Sequence, residues 1–165
     1  MKTLYLLRHA KSDWKDETLS DKERPLAKRG KRDAQLIAAE LQRQQRQFAT
    51  VYCSPAVRAR ETLSRFQAES NVFDQASVAF ADDLYTFDAG DLLRWLRDLP
   101  QDKPNALIIG HNPALAEAAD QLCDGKVGHV GTCTFLELQV NVEYWDQLRG
   151  DCAKLVEVLR PKHFR

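Results

Sequence analysis

The sequence has no excess of charge of either sign, because 24 Lys and Arg residues balance 24 Asp and Glu residues. This balance argues against a protein whose surface binds nucleic acid or anionic membranes. Proline and glycine are scarce, at 6 and 7 of 165 residues, and hydrophobic residues make up 44%. That composition excludes a disordered or collagen-like chain. We therefore expect one globular domain over residues 1–165.

Long apolar segments are missing as well. No run approaches the ~18 apolar residues of a membrane-spanning helix, and residues 1–7 hold too few apolar side chains for a secretory signal. The four cysteines have no C-x-x-C spacing, which favours reduced, packed thiols over a disulfide framework. The four histidines are scattered without metal-ligand spacing. These absences predict a cytoplasmic protein with no membrane or nucleic-acid partner and no metal site.

Short apolar runs alternate with amphipathic segments along the chain. Strands are predicted at residues 3–7, 50–53, 78–81, 106–109, 133–140 and 154–159. Apolar spacing of three and four residues predicts helices opening at Pro25 and at Ser54-Pro55, and further helices around residues 92–99 and 115–122. The alternation predicts an α/β fold: one three-layer α/β/α domain with a mainly parallel central sheet and an antiparallel element from the last two strands.

Arginine and histidine residues cluster where three of the predicted strands end. Arg8 and His9 follow the first strand, Arg58 lies just after the second, and His111 follows the strand at 106–109. Ligands of open α/β sheets bind beyond the carboxyl ends of the strands, and no carboxylate occupies these three ends. We therefore expect a positive pocket, in which guanidinium groups suit a phosphoryl group. Arg60 lies ~200° from Arg58 around the helix, so only one of them can face this pocket.

Three stretches in this order resemble the histidine phosphatase superfamily, also called phosphoglycerate-mutase-like. They read LRHAKS at residues 7–12, SPAVRARET at 54–62 and GHNP at 110–113. The short chain and the wording RHAKSDW are similar to the compact SixA-type branch, the phosphohistidine phosphatases. The resemblance implies that His9 is a nucleophile and that Arg8, Arg58 and His111 bind the phosphoryl group, with Ser12 as a further candidate phosphate ligand.

The sequence departs from the superfamily pattern at two positions. Ala10 stands where many relatives carry glycine after the nucleophilic histidine, as is common in the compact branch. Mutase-like members place a glutamate general acid after the third strand, whereas the corresponding stretch here, residues 82–86, has no Glu. Asp83 is our candidate for a carboxylate near the site. Larger members also insert a cap between the positions of Arg58 and His111, and this chain has no residues left over for such a domain.

The missing glutamate bears on the substrate. A phosphoester leaves as an alkoxide and benefits from a general acid, whereas phosphohistidine can leave as neutral imidazole, whose conjugate acid has a pKa of ~6.5. The resemblance thus favours a metal-independent, cofactor-free phosphohistidine phosphatase that forms a covalent phosphohistidine intermediate. Its expected partner is a phosphohistidine-bearing protein, such as a phosphotransfer domain or a sugar phosphotransferase component.

Two alternative functions stay open on the sequence alone. One is a small-molecule phosphomonoesterase or a Ser/Thr/Tyr phosphoprotein phosphatase of the same superfamily. The other is a non-catalytic module that binds phosphate or a phosphopeptide. The first is distinguished by comparing phosphohistidine with phosphoester substrates, and the second by the presence or absence of a phosphoenzyme.

Overall fold

A central six-stranded sheet organises the computed structural model, which describes residues 1–165. Its strand order is β3-β2-β4-β1-β5-β6. The strands are β1 (Lys2–Arg8), β2 (Thr50–Cys53), β3 (Ser77–Phe80), β4 (Asn105–Gly110), β5 (Phe135–Val140) and β6 (Ala153–Leu159). Strands β1 to β4 run parallel, whereas β5 is antiparallel to both β1 and β6. The predicted mainly parallel sheet with an antiparallel element is confirmed.

Four helices cover the two faces of the sheet, namely α1 (Lys28–Arg43), α2 (Val57–Glu69), α3 (Ala89–Arg97) and α4 (Ala114–Leu122). Side chains alternate along a strand, so Leu4 and Leu6 of β1 pack with α3 and α4, while Leu7 packs with α1 and α2. The three-layer α/β/α prediction is therefore confirmed. No helix is both long enough and apolar enough to cross a membrane.

The chain between α2 and β4 contains no inserted domain. It forms β3, a short 3₁₀ helix (Asp82–Leu84) and α3 before it enters β4. The expectation that no cap domain covers the sheet edge is confirmed.

Two helices begin later than the sequence pattern predicts. Helix α1 starts at Lys28 rather than Pro25, because residues 25–27 run extended beside residues 11–13: the Asp13 N–H donates to the Pro25 carbonyl at 2.8 Å. Helix α2 starts at Val57, and the Ser54 hydroxyl accepts from the Ala56 N–H instead of capping the first turn. In both cases tertiary pairing of the preceding segment outweighs the local start signal.

Strand β5 also begins later than predicted. Cys133 adopts a left-handed backbone conformation with φ 55°, and its N–H donates to the His9 carbonyl at 3.0 Å. The ladder with β1 therefore starts at Phe135. All four cysteines are free and buried, and burial raises the pKa of Cys53 to about 12 and that of Cys123 to about 11. These thiols act as packing groups.

Gly30 in the first turn of α1 lies directly against the segment that follows β1. A Cβ at Gly30 would overlap the Lys11 carbonyl oxygen and lie 3.0 Å from the Lys11 amide nitrogen. That carbonyl also accepts from the Ala27 N–H at 2.9 Å. Only glycine permits this close approach, which fixes the loop after His9 against α1.

Gly30→Ala should therefore lower the free energy of unfolding, although alanine normally improves an α-helix by up to ~1 kcal/mol. We expect a net loss of about 2 kcal/mol, because the new methyl group overpacks a rigid backbone contact. Urea unfolding measures the change. Gly150→Ala is the matched control, because its Cβ would meet only the Gln121 carbonyl at an ordinary 3.7 Å. Equal stability of both variants would contradict the close approach.

Candidate active site

The carboxyl ends of β1, β4 and β2 lie side by side at one edge of the sheet. Arg8 at the end of β1 is paired with Gly110 at the end of β4. Backbone hydrogen bonds extend this alignment by one residue on each side: His9 N–H donates to the Gly110 carbonyl at 3.1 Å, and Ser54 N–H to the Ile109 carbonyl at 3.0 Å. His9, His111 and the approach to α2 therefore meet at the same place.

His9, Arg58 and His111 form the centre of the site, and all three are buried. The Arg58 Nε donates to His9 Nε2 at 3.3 Å, and the two imidazole rings lie 5.2 Å apart between centroids. His9 Nδ1 is 2.7 Å from the Ala10 carbonyl oxygen. Because a carbonyl only accepts, Nδ1 must carry the hydrogen, which leaves the free electron pair on Nε2.

His111 is held by a hydroxyl and by aromatic rings. Its Nε2 lies 2.7 Å from the Ser54 hydroxyl, while its Nδ1 is buried without a hydrogen-bond partner. The rings of Tyr85 and Phe87 pack against the imidazole, with centroid distances of 5.4 and 5.5 Å. Tyr85 and Phe87 follow the 3₁₀ helix after β3, so this segment forms one wall of the site.

Burial and neighbouring positive charge keep both imidazoles neutral. Desolvation lowers the pKa of His9 from 6.5 to about 4, and the charges of Arg58, Arg8 and Arg24 add to this shift. Desolvation likewise lowers the pKa of His111 to about 3, with His9 and Arg58 contributing. At neutral pH, His9 Nε2 is therefore an unprotonated base.

Arg8 is positioned by the loop that precedes β5. Its Nη1 donates to the Val130 carbonyl at 3.2 Å, and the same carbonyl accepts from Asn112 Nδ2 at 2.7 Å. The Asn112 side chain also accepts from the Ala116 N–H at 3.2 Å, which ties it to α4. Burial and the charge of Arg58 lower the pKa of Arg8, and its Nε is buried without a partner. Asn112 of the GHNP stretch thus supports the arginine that precedes His9.

A carboxylate that the sequence reasoning did not foresee lies on Arg58. Asp21 sits on a 3₁₀ helix (Asp21–Glu23) that folds over the sheet edge. Its Oδ2 accepts from Arg58 Nη2 at 2.9 Å and from the Tyr85 hydroxyl at 2.6 Å. Partial burial would raise the pKa of Asp21, but the hydrogen bonds from Tyr85 and Arg58 outweigh it and lower the pKa to about 2. The three strand ends carry no carboxylate, as the sequence shows, but a carboxylate does lie at the site, and it comes from the Asp21 loop rather than from Asp83.

Arg24 contributes a second buried guanidinium group beside that of Arg58, and the sequence pattern did not single it out. Its Nη2 donates to Asp21 Oδ1 at 3.0 Å, and its guanidinium carbon lies 3.1 Å from the centre of the Trp14 ring. Nε and Nη1 of Arg24 are buried without a partner. Arg24 lies in a charge-dense loop without periodicity, so no local signal distinguished it from its exposed neighbours.

The Glu-Thr pair at the end of the SPAVRARET stretch holds two loops in place. Glu61 accepts from the Leu26 N–H at 2.9 Å. The Thr62 hydroxyl accepts from the Ala10 N–H at 3.0 Å and donates to the Arg58 carbonyl at 2.8 Å. This stretch therefore supplies Arg58 to the site and anchors the segments on both sides of the Asp21 loop.

Three other residues considered from the sequence lie outside this cluster. Ser12 is buried in an isolated backbone bridge with Leu26, and its hydroxyl makes no hydrogen bond to the cluster. Asp83 is exposed and makes no hydrogen bond or ion pair with it, whereas Tyr85, two residues further on, reaches Asp21. Arg60 is exposed while Arg58 is buried, as the helix geometry predicts. No group of three His, Cys, Asp or Glu residues is arranged to hold a metal ion.

Comparison with known proteins gives matches over most of the chain. The sequence model of the histidine phosphatase superfamily (branch 1) matches residues 4–104. An uncharacterized chloroplastic protein of Arabidopsis thaliana is 33% identical over 151 residues, which is 87% of this chain and 69% of that protein. An uncharacterized protein of Mycobacterium leprae is 31% identical over 116 residues, or 68% of each chain.

Solved structures of SixA proteins share the fold. SixA from Nakamurella multipartitia superposes with a TM-score of 0.79 at 27% identity, covering 97% of this chain and 96% of that one. A SixA structure described as a protein histidine phosphatase complexed with tungstate superposes with a TM-score of 0.80 at 21% identity, covering 99% of both chains.

The lowered pKa values of His9 and His111 predict how stability depends on pH. The unfolded chain takes up protons on these imidazoles below pH ~6.5, whereas the folded protein keeps them neutral until about pH 4 and 3. Stability is therefore highest above pH ~6.5 and falls as the pH drops through this range. Between pH 7 and pH 5 each histidine should account for a loss of about 2 kcal/mol in the free energy of unfolding.

Urea unfolding of the wild type, His9→Gln and His111→Gln at both pH values measures this loss. Each variant should lose less stability than the wild type on acidification, by about 2 kcal/mol. His163→Gln, at an exposed histidine, is the control for the mutation itself. A pH dependence that is the same in all four proteins would show that the two rings are not held neutral.

Proposed function

The chain belongs to the histidine phosphatase superfamily (branch 1), and from this premise we propose that it removes the phosphoryl group from phosphohistidine on a protein. Membership makes the protein a phosphatase, and the phosphohistidine substrate is our inference from the site. The observation that carries it is the unprotonated His9 Nε2 next to the Arg58 guanidinium. This pairing supports the proposed roles of His9 as the nucleophile and Arg58 as a phosphate ligand.

In the proposed reaction the substrate phosphohistidine ring carries a proton on its second nitrogen. His9 Nε2 attacks phosphorus, the P–N bond to the substrate breaks, and its electron pair stays on the departing nitrogen, which gives neutral imidazole. The imidazole departs, and water then attacks the phosphorylated His9 to release inorganic phosphate. The pKa of about 4 keeps His9 ready for attack at neutral pH. Arg8, Arg58 and His111 would bind the phosphoryl oxygens, because the transition state spreads its charge over them.

Asp21 must give way when the phosphoryl group binds. Its carboxylate accepts from Arg58 Nη2, the donor that a phosphoryl oxygen would need, and Arg58 Nη1 donates to the Asp21 carbonyl at 2.6 Å. A phosphoryl group offers more charge and more acceptor oxygens than a carboxylate, so it can compete for these donors. We infer that the Asp21 loop moves aside in the substrate complex and uncovers Arg58 and Arg24.

No group at the site is suited to protonate a strongly basic leaving group. Asp21 is ionised, with a pKa of about 2, while Arg58 and Tyr85 donate to it, and in the proposed substrate complex it has moved aside; Asp83 is exposed without contact to the cluster. Burial and the Asp21 carboxylate raise the pKa of Tyr85 above its usual value of 10.0, which makes this hydroxyl a poor acid. A site without an acid favours cleavage of a P–N bond over a P–O bond, because a phosphohistidine ring that takes a proton from solvent on its second nitrogen can leave as neutral imidazole, whereas an alkoxide has no such route.

A protein substrate is favoured by the absence of a cap domain. The edge of the sheet that carries His9 is covered by loops and short 3₁₀ segments rather than by an inserted domain, and the Phe87 side chain in the wall of the site is 44% exposed. A small metabolite would find few enclosing contacts there. The similarity in fold to a SixA described as a protein histidine phosphatase supports the same substrate class. We propose a phosphotransfer domain or a sugar phosphotransferase component as the partner.

The substrate assignment is tested by comparing kcat/KM for a phosphohistidine-bearing domain with kcat/KM for a panel of small phosphomonoesters and phospho-Ser, phospho-Thr and phospho-Tyr peptides. Assays contain EDTA, because we expect the reaction to need no metal. We predict a preference of at least about tenfold for the phosphohistidine domain, since only this leaving group needs no acid. A preference of that size for a phosphoester would replace the proposal with an esterase function.

His9→Ala should abolish turnover and the phosphoenzyme, because the attacking nitrogen is removed while one polar side chain contributes little to the core. Rapid quench with labelled phosphohistidine protein should trap an acid-labile, base-stable phosphoenzyme in the wild type. His163→Ala is the matched control and should keep the label, since His163 is exposed. A labelled and active His9→Ala variant would rule out His9 as the nucleophile, and a wild type that binds substrate without ever forming a phosphoenzyme would indicate a non-catalytic module.

Arg58→Ala should lower kcat/KM by about 100-fold or more, because it removes a buried donor from the developing phosphoryl charge. Arg60→Ala changes the same residue type two positions along the same helix, but on its exposed side, and should stay close to wild type. Steady-state kinetics on the phosphohistidine domain compare the two, and circular dichroism checks that both variants fold. The reverse ranking would mean that Arg60 is the phosphate ligand.

A further inference from the structure

A cavity of about 430 Å³ lies beside the candidate active site and contains no hydrophobic residue in its lining. Arg8 belongs to both the cavity and the active site. Its side chain lines the cavity, and it lies close enough to Arg58 for the Arg58 charge to lower its pKa. The cavity is formed by the start of the loop after β1, the amino end of α1, the loop before β5 and the segment after β6. Its cationic residues are Arg8, Lys11, Arg29, Arg160, Lys162 and Arg165.

The charge of this cavity is not balanced by carboxylates. Arg29 and Arg165 form ion pairs with the buried Asp33, at 3.6 and 2.8 Å. Arg8, Lys11, Arg160 and Lys162 have no carboxylate partner, and no Asp or Glu lines the cavity. The whole chain has a formal net charge of zero, so positive charge is concentrated here. Like charges gathered around one concave surface repel each other and attract an anion.

The composition of the lining limits what that anion can be. A nucleotide or a lipid would need an aromatic or apolar surface for its base or acyl chain, and the cavity offers none. Its other residues include Thr132 and Thr134, which can donate hydrogen bonds to oxygens. The ligand that fits is a group of oxyanions without a large apolar part.

We propose that this cavity is a second anion-binding site, which holds acidic side chains of the phosphoprotein substrate while its phosphohistidine occupies the site at His9. This inference rests on the proposed function, since it assigns the cavity to the same substrate. Arg8 joins the two sites, so the acidic side chains must lie close to the phosphohistidine on the partner surface. The cavity then selects among phosphohistidine proteins by the acidity of the surface around the phosphorylated residue.

The kinetic test uses two phosphohistidine peptides that differ only in flanking residues, Glu in one and Gln in the other. The wild type should prefer the Glu peptide in kcat/KM by about tenfold, as expected for two or three exposed ion pairs. The double variant Lys11→Gln/Lys162→Gln should reduce this preference to about one, because neither lysine has an internal hydrogen-bond or ion-pair partner. Lys103→Gln/Lys154→Gln makes the same change of charge at the other end of the strands, just before β4 and at the start of β6, and should keep the preference.

A binding test does not depend on turnover. A fluorescently labelled, unphosphorylated Glu-rich peptide should bind the wild type at low salt, more weakly at high salt, and about tenfold more weakly to Lys11→Gln/Lys162→Gln than to the control variant. No hydrolysis of either phosphohistidine peptide would overturn the proposed function, and loss of peptide binding in the cavity variant would still support the anion site. Equal Glu and Gln rates in the wild type, or equal peptide binding by both double variants, would overturn the second site.

Discussion

The backbone register between β1, β4 and β2 determines which side chains can meet in this protein. Arg8 opposite Gly110 places His9 beside His111, and the bond from Ser54 to the Ile109 carbonyl brings α2 to the same edge. A shift of one residue in any of these pairings would turn the side chains to the opposite face. The apolar layers on both sides of the sheet hold this register, so the core and the candidate site depend on the same hydrogen bonds.

The charge distribution follows from that convergence. Three guanidinium groups and two imidazoles lie within a partly dehydrated space, and protonated histidines there would add to the repulsion. Burial therefore keeps His9 and His111 neutral, while Asp21 supplies the acceptor that Arg58 needs. Neutral imidazoles and the Asp21 carboxylate limit the repulsion between the guanidinium groups of the empty site. The same arrangement leaves the unprotonated His9 Nε2 next to the Arg58 guanidinium.

Much of this site could be predicted from the sequence, because its central residues are tied to strand ends that the apolar runs reveal. Arg8, His9 and His111 directly follow buried strands, so locating the strands also located the residues. Asp21 and Arg24 could not be found in this way, since they lie on a loop whose path is set by contacts distant in sequence. Those contacts are the bond from the Leu26 N–H to Glu61, 35 residues away, and the bridge between Ser12 and Leu26.

The predicted start of α1 at Pro25 is wrong for the same reason, because contacts with a distant segment decide the path of the chain there. Pro25 is a good local start signal, but the pairing of residues 25–27 with residues 11–13 keeps that segment extended until Lys28. Its position after β3 makes Asp83 the predicted site carboxylate, but the 3₁₀ turn there directs Tyr85 rather than Asp83 to the cluster. Local sequence signals are thus outweighed where a turn or a distant segment decides the direction of a side chain.

The carboxylate of Asp21 acts as a tethered competitor for every anion that enters the site. Because it belongs to the same chain, its effective concentration at Arg58 is set by the loop and does not fall on dilution. In the proposed reaction, inorganic phosphate would have to displace this carboxylate to stay at Arg58, so the Asp21 loop would favour release of the product. A phosphoprotein substrate with the proposed additional contacts outside the site would overcome the same competition, and the loop would thereby distinguish substrate from product although both carry the same phosphoryl group.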